Sequence, residues 1–104
     1  MTNADWTLDD LIYRAEEEGA GKIHLVAGAP PMLRRRGEDL FPAGPYPPLT
    51  SERIARELST LVEPEAWHRI ETIGEGDLTV HRLALSLRLT LYRTANEWAV
   101  VVHL

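Results

Sequence analysis

The sequence predicts an α+β fold, a mixed or antiparallel sheet with helices packed on one face. Three observations predict it. Apolar residues recur at helical spacing in three stretches between Thr7 and Gly74. From Asp77 to the end the period changes to two, the signature of half-buried strands. The chain has 104 residues, 44% of them hydrophobic and 26% charged, which suits one domain with one core.

The elements follow in order. Thr7 precedes LDDLIYRAEEEG, in which Leu8, Leu11, Ile12 and Ala15 share a face. The Thr7 hydroxyl suits an N-cap, Asp9 and Asp10 suit the positive end of the helix dipole, and Gly19 suits the stop. Ile23, Leu25 and Ala27 then alternate with Lys22, His24 and Val26, which predicts a strand. Ala29-Pro30-Pro31 breaks it, and Met32 to Arg36 reads as a second strand ended by Gly37. Pro42 to Pro48 holds four of the seven prolines and reads as an ordered loop with no regular element. A helix starts at Thr50, with Ile54, Ala55, Leu58 and Leu61 as its buried stripe. Pro64 opens another at its first helical position, turning Trp67, Ile70 and Ile73 inward before Gly74. A three-strand meander closes the chain, with turns near Arg82–Ala84 and over Thr94–Glu97. Its middle strand sets Leu85, Leu87, Leu89 and Leu91 on one face and Ser86, Arg88, Thr90 and Tyr92 on the other. The expected core includes Leu11, Ile23, Leu25, Leu58, Trp67, Ile70, Leu87, Leu89, Leu91 and Val101. No internal repeat is visible, and the abrupt finish at Val102-His103-Leu104 leads us to expect a longer parent.

Composition excludes several functions. Net charge is −5, which opposes nucleic-acid binding, and no aromatic residues interleave with Arg34, Arg35 and Arg36. There is no cysteine, hence no disulfide, thiol nucleophile or thiolate metal site. Met1 to Leu11 carries acidic residues where a secretory leader needs positive charge and an apolar run, and no stretch approaches a membrane span. A cytoplasmic protein is the expectation.

The chemistry-bearing motifs are sparse. Neither GxxxxGK[ST] nor GxGxxG occurs, and Gly19, Gly21 and Gly28 are spaced as turns around one strand. His24, His68, His81 and His103 show no metal-ligand spacing, so neither metal nor cofactor is expected. No GxSxG elbow is present; Ser51, Ser59 and Ser86 read as helix start, helix surface and strand surface. No catalytic residue is assigned. Glu16-Glu17-Glu18 reads as a solvated helix end. The arginines are the most informative residues. Arg34, Arg35 and Arg36 are interface candidates, split by strand alternation between two faces and so unable to converge on one ligand. Arg88, on a rigid strand, has the fork to read an anion.

The stretch GAGKIHLVAGAPPMLRRRGEDL resembles the start of the type IV pilus retraction ATPases, the PilT family. Gly19, Ala20, His24, Leu25, Gly28, Pro30, Pro31, Met32, Arg34 and Gly37 carry the likeness. PLTSERIARELSTLV resembles the family's PLT helix start, and LSLRLTLYRT its arginine-bearing strand. The similarity runs from about Leu8 to Leu104. Three departures stand out: Gly21-Lys22 replaces the usual Ser-Asp, Thr90 the usual Asn, and Ser86 a frequent arginine. The resemblance implies a PAS-like N-terminal domain over residues 1–104, packed on a RecA-like ATPase core of a hexameric motor, in cis or in trans. It places Arg88 and Arg93 near the nucleotide at that junction. With the core and its Walker motifs absent, it implies a non-enzymatic assembly or regulatory module and no hydrolysis by this chain alone. Its partners would be the core and other copies in a homo-oligomer, at the inner face of a membrane that houses a pilus or secretion machine. The alternatives are a stand-alone PAS-like small-ligand sensor and a ring-capping regulatory protein.

Overall fold

The computed structural model describes residues 6–104; the first five residues of the acidic N-terminal stretch lie outside them. Three helices and six strands are present among the described residues: α1 (Leu8–Glu18), β1 (Lys22–Val26), β2 (Met32–Arg34), β3 (Phe41–Pro42), α2 (Ser51–Ser59), α3 (Pro64–Ile73), β4 (Glu75–Arg82), β5 (Leu85–Thr94) and β6 (Glu97–His103). The strands form one sheet in the order β3-β2-β1-β6-β5-β4, and every pairing is antiparallel. The chain is thus α+β, as the two periodicities predict. The last strand β6 enters the middle of the sheet and joins the β1–β2 hairpin to the β4–β5 hairpin.

The helix boundaries follow from capping chemistry. The Thr7 hydroxyl accepts from the Asp10 amide, and Gly19 ends α1 in the left-handed region at φ 69°. Thr50 repeats the cap on α2 by accepting from the Arg53 amide. Pro64 opens α3, and Gly74 closes it at φ 89°. The Gly74 amide closes the last helical bond to the Ile70 carbonyl, 2.7 Å away, and its left-handed backbone then turns the chain so that β4 starts at the next residue.

All three helices cover one face of the sheet. Ile23, Leu25, Leu33, Leu87, Leu89, Leu91, Val100 and Val102 project from the alternating patterns of four strands, β1, β2, β5 and β6, into a single core with Leu11, Ile12, Ile54 and Leu58. Trp98 and the half-buried Trp67 pack with centroids 5.4 Å apart. Ser51, at the start of α2, accepts from the Trp98 amide at 2.8 Å and so locks α2 to β6.

Four expectations are corrected. Val101 is only half-buried, because Val100 and Val102 take the helix-covered face of β6 and leave it on the other. Ile73, the last residue of α3, is 69% exposed; Ile70, one turn earlier, is the buried position of that helix. The second strand stops at Arg34 rather than Arg36, where the chain turns through Gly37 at φ 77°. Within the proline-rich loop, Phe41–Pro42 pairs with β2 as an edge strand, a place where a proline without an amide proton is tolerated.

Two hairpin turns hold non-glycine residues in the left-handed region: Leu83 and Ala84 at φ 52° and 62°, Ala95 and Asn96 at 51° and 66°. Two-residue turns of this hand match the twist of the strands they join. For a residue with a Cβ this conformation costs about 1 kcal/mol or more. Ala84→Gly is therefore expected to stabilise the chain by about 0.5–1 kcal/mol, read from the midpoint of urea unfolding. Leu89→Ala, at a fully buried position of β5, is expected to cost about 2–5 kcal/mol in the same measurement.

Candidate functional site

The face of the sheet opposite the helices has no covering layer among the described residues, and the strand register arranges what lies on it. Lys22 stands opposite Arg34 on one side and His103 on the other, and His103 stands opposite Arg88. A cross-strand row therefore reads Arg34–Lys22–His103–Arg88. The row beside it reads Met32–His24–Val101–Thr90–Asp77. Like charges opposite one another weaken a sheet, so this row is held together by the core beneath it, not by its own contacts. The face is not wholly polar: Val26 and Tyr92 are 41% and 47% exposed.

Asp77 balances one end. Its two carboxylate oxygens accept from Arg88 Nε and from a terminal guanidinium nitrogen, each at 3.2 Å. Both side chains are exposed, so salt screens the pair and its guanidinium is readily offered to another acid. His103 Nε2 lies 3.3 Å from the Thr90 hydroxyl. Burial, reinforced by Arg88 and Lys22, pushes the His103 pKa below its ordinary value despite the opposing pull of Asp77. His24 is shifted down in the same way, first by burial and then by Arg34, Lys22 and His103. Its Nε2 is buried without a hydrogen-bond partner among the described residues. Both imidazoles thus favour the neutral form within a cationic surround.

Arg93 lies elsewhere. Strand alternation sends it to the helix-covered side of β5, where its guanidinium sits 5.2 Å from the centre of the Trp98 ring and its amide donates to the Gly74 carbonyl. Arg88 and Arg93 point to opposite faces and stand five residues, about 17 Å, apart along the strand. The fold does not bring these two expected site residues together.

The arginine triplet behaves differently from the strand expectation. Because β2 ends at Arg34, alternation no longer separates the three. Arg34, Arg35 and Arg36 all line one open cleft of about 540 Å³, together with Lys22, Gly19, Gly21 and Gly37. Arg35 is engaged in the fold. It reaches the Glu18 carboxylate at 2.6 Å and Glu38 at 3.4 Å, and stacks 4.4 Å over the Phe41 ring. Glu18 is therefore a docking point between α1 and the β1–β2 hairpin, while Glu16 and Glu17 remain exposed. Lys22 and His103 were missed as site residues from sequence. The signal for Lys22 was its place beside His24 on the polar face of β1; nothing local pointed to His103.

A scan against protein-family models finds no match, and no curated protein matches. Among solved structures the chain is similar to the crystal structure of the pilus retraction motor PilT with bound ADP. Identity is 24% and the TM-score 0.83, over 96% of this chain and 29% of that one. It is also similar to the ATPase DotB of Legionella pneumophila, at 13% identity and a TM-score of 0.73, over 99% of this chain and 31% of that one. The chain has the fold of the N-terminal part of these motor ATPases and spans less than a third of either.

The lowered His24 pKa has a measurable consequence. As pH falls, the unfolded chain takes up its proton first, near the ordinary value of about 6.5. Stability is full above that pH and is lost as pH falls from there through the folded value. Tm is expected to drop between pH 7.5 and 5.5, and His24→Gln to drop less over the same interval; differential scanning calorimetry at each pH checks both.

Proposed function

We propose that residues 1–104 act as a non-enzymatic assembly or regulatory domain of a pilus- or secretion-type motor ATPase, packing on a RecA-like core. The observation that carries this reading is the fold match itself. It covers 96% of this chain, while 29% of the PilT chain suffices to provide it. The remainder of such a motor holds what this sequence lacks: no GxxxxGK[ST] loop occurs in it to cradle a triphosphate. The core is supplied in cis or in trans, and the assembly is homo-oligomeric on the cytoplasmic side of a membrane that holds the machine.

Within that reading Arg88 is the residue of this chain best placed to approach a nucleotide or an acidic partner. It stands on a rigid strand inside the sheet, on the face without a helix layer, and among the described residues its side chain pairs only with the exposed Asp77 carboxylate. Breaking that pair frees a guanidinium at little cost. Arg93 is turned to the other face and supports Trp98, so its part is to hold the β5–β6 hairpin against α3.

Two measurements test the proposal. The isolated chain is expected to show no ATP turnover above buffer. Mixed with a purified pilus retraction ATPase core stripped of its own N-terminal domain, it is expected to sediment with the core, and Arg88→Ala to weaken that association about tenfold. Turnover by the chain alone, or independent sedimentation of the two proteins, would reject the reading.

A further inference from the structure

We propose that the cleft lined by Lys22, Arg34 and Arg36 is a binding site for a phosphate group. It is independent of any contact with an ATPase core. The chain carries net charge −5, yet four of its eleven basic residues line this one cleft. Crowding of that kind raises a local positive potential that attracts an anion.

Two of those cations are uncommitted. Arg35 is engaged by Glu18, Glu38 and Phe41, and its Nε also donates to the Glu18 carbonyl at the negative end of α1. Arg34 uses Nε on the Glu38 carbonyl, at 3.0 Å, which orients the fork and leaves its terminal nitrogens for a ligand. Lys22 and Arg36 are exposed and make no ion pair among the described residues. A fork held at one nitrogen beside a lysine and a second arginine matches the oxygens of a phosphate better than a single carboxylate.

The glycines supply the space. Gly19 and Gly37 are left-handed, at φ 69° and 77°, and their turns require glycine. Gly21 is different. Its φ is not in the left-handed region, and a Cβ built on it would meet nothing within 4 Å. Neither backbone conformation nor packing requires a glycine there. What its bare Cα does is keep the wall of the cleft open beside Lys22. The volume of about 540 Å³ admits a phosphate or pyrophosphate together with part of the molecule that carries it.

Pyrophosphate is the probe. Titrated calorimetrically into the full chain at low ionic strength, it is expected to bind saturably, to shift the amide resonances of Gly19, Gly21, Lys22 and Gly37, and to weaken steeply as salt is raised. Lys22→Gln and Arg36→Gln should each weaken binding about tenfold. Gly21→Val should do the same by filling the cleft, with Tm unchanged, and Arg56→Gln, on the exposed face of α2, should change nothing. Flotation with phosphatidylglycerol vesicles, with phosphatidylcholine vesicles as the reference, separates a lipid headgroup from a soluble phosphate as the source. Vesicle binding that pyrophosphate displaces assigns the headgroup; pyrophosphate binding without flotation assigns a soluble ligand. No saturable binding to either probe, binding untouched by all three cleft variants, or binding that appears only with a single-stranded oligonucleotide would overturn the proposal.

Discussion

The whole architecture depends on the sheet being covered on one side only. Leu87, Leu89 and Leu91 are at most 1% exposed on the helix side, and a slip of one residue in any pairing would exchange them for Ser86, Arg88 and Thr90. Burial on one face therefore sets the register of all the central strands. Once the register is set, the residues on the other face have no choice of neighbour. That is how Arg34, Lys22, His103 and Arg88, drawn from four separate strands, come to stand in one row.

The same constraint explains why polar chemistry gathers where it does. The core stabilises the sheet by roughly 1.5–3 kcal/mol for each fully buried aliphatic side chain, far more than exposed like-charge repulsion takes away. A row of cations is affordable on such a platform, and it offers a rigid surface to an acidic group brought by another molecule. His24 and His103, held toward the neutral form by burial and by those cations, keep the row from becoming still more crowded with charge near neutral pH.

At the hairpin end the constraint relaxes. Beyond Arg34 there is no partner strand to enforce alternation, so the chain is free to turn at Gly37, and Arg34, Arg35 and Arg36 all come to line one cleft. Arg35 becomes a structural tie through Glu18, while its two neighbours remain available. Three adjacent arginines thus take on different roles for a reason that lies in where a ladder ends.

The sequence by itself determined every element but the short edge strand β3, and most of the core. Thr7, Thr50, Gly19, Gly74 and Pro64 mark helix ends by local capping chemistry, and the run from Leu85 to Leu91 alternates so strictly that its buried face is legible without a structure. It also carried a resemblance whose fold the comparison with PilT bears out. Only the tertiary structure decided which face of β6 is buried, and so put Val100 and Val102 inside where Val101 was expected. It alone placed Arg88 and Arg93 on opposite sides and closed the arginine triplet, Lys22 and three glycines around one cleft. The physical reason is range: caps and periodicity act within a turn or a few residues along the chain, whereas a cross-strand neighbour or a cleft wall depends on register between segments as far apart as Lys22 and His103.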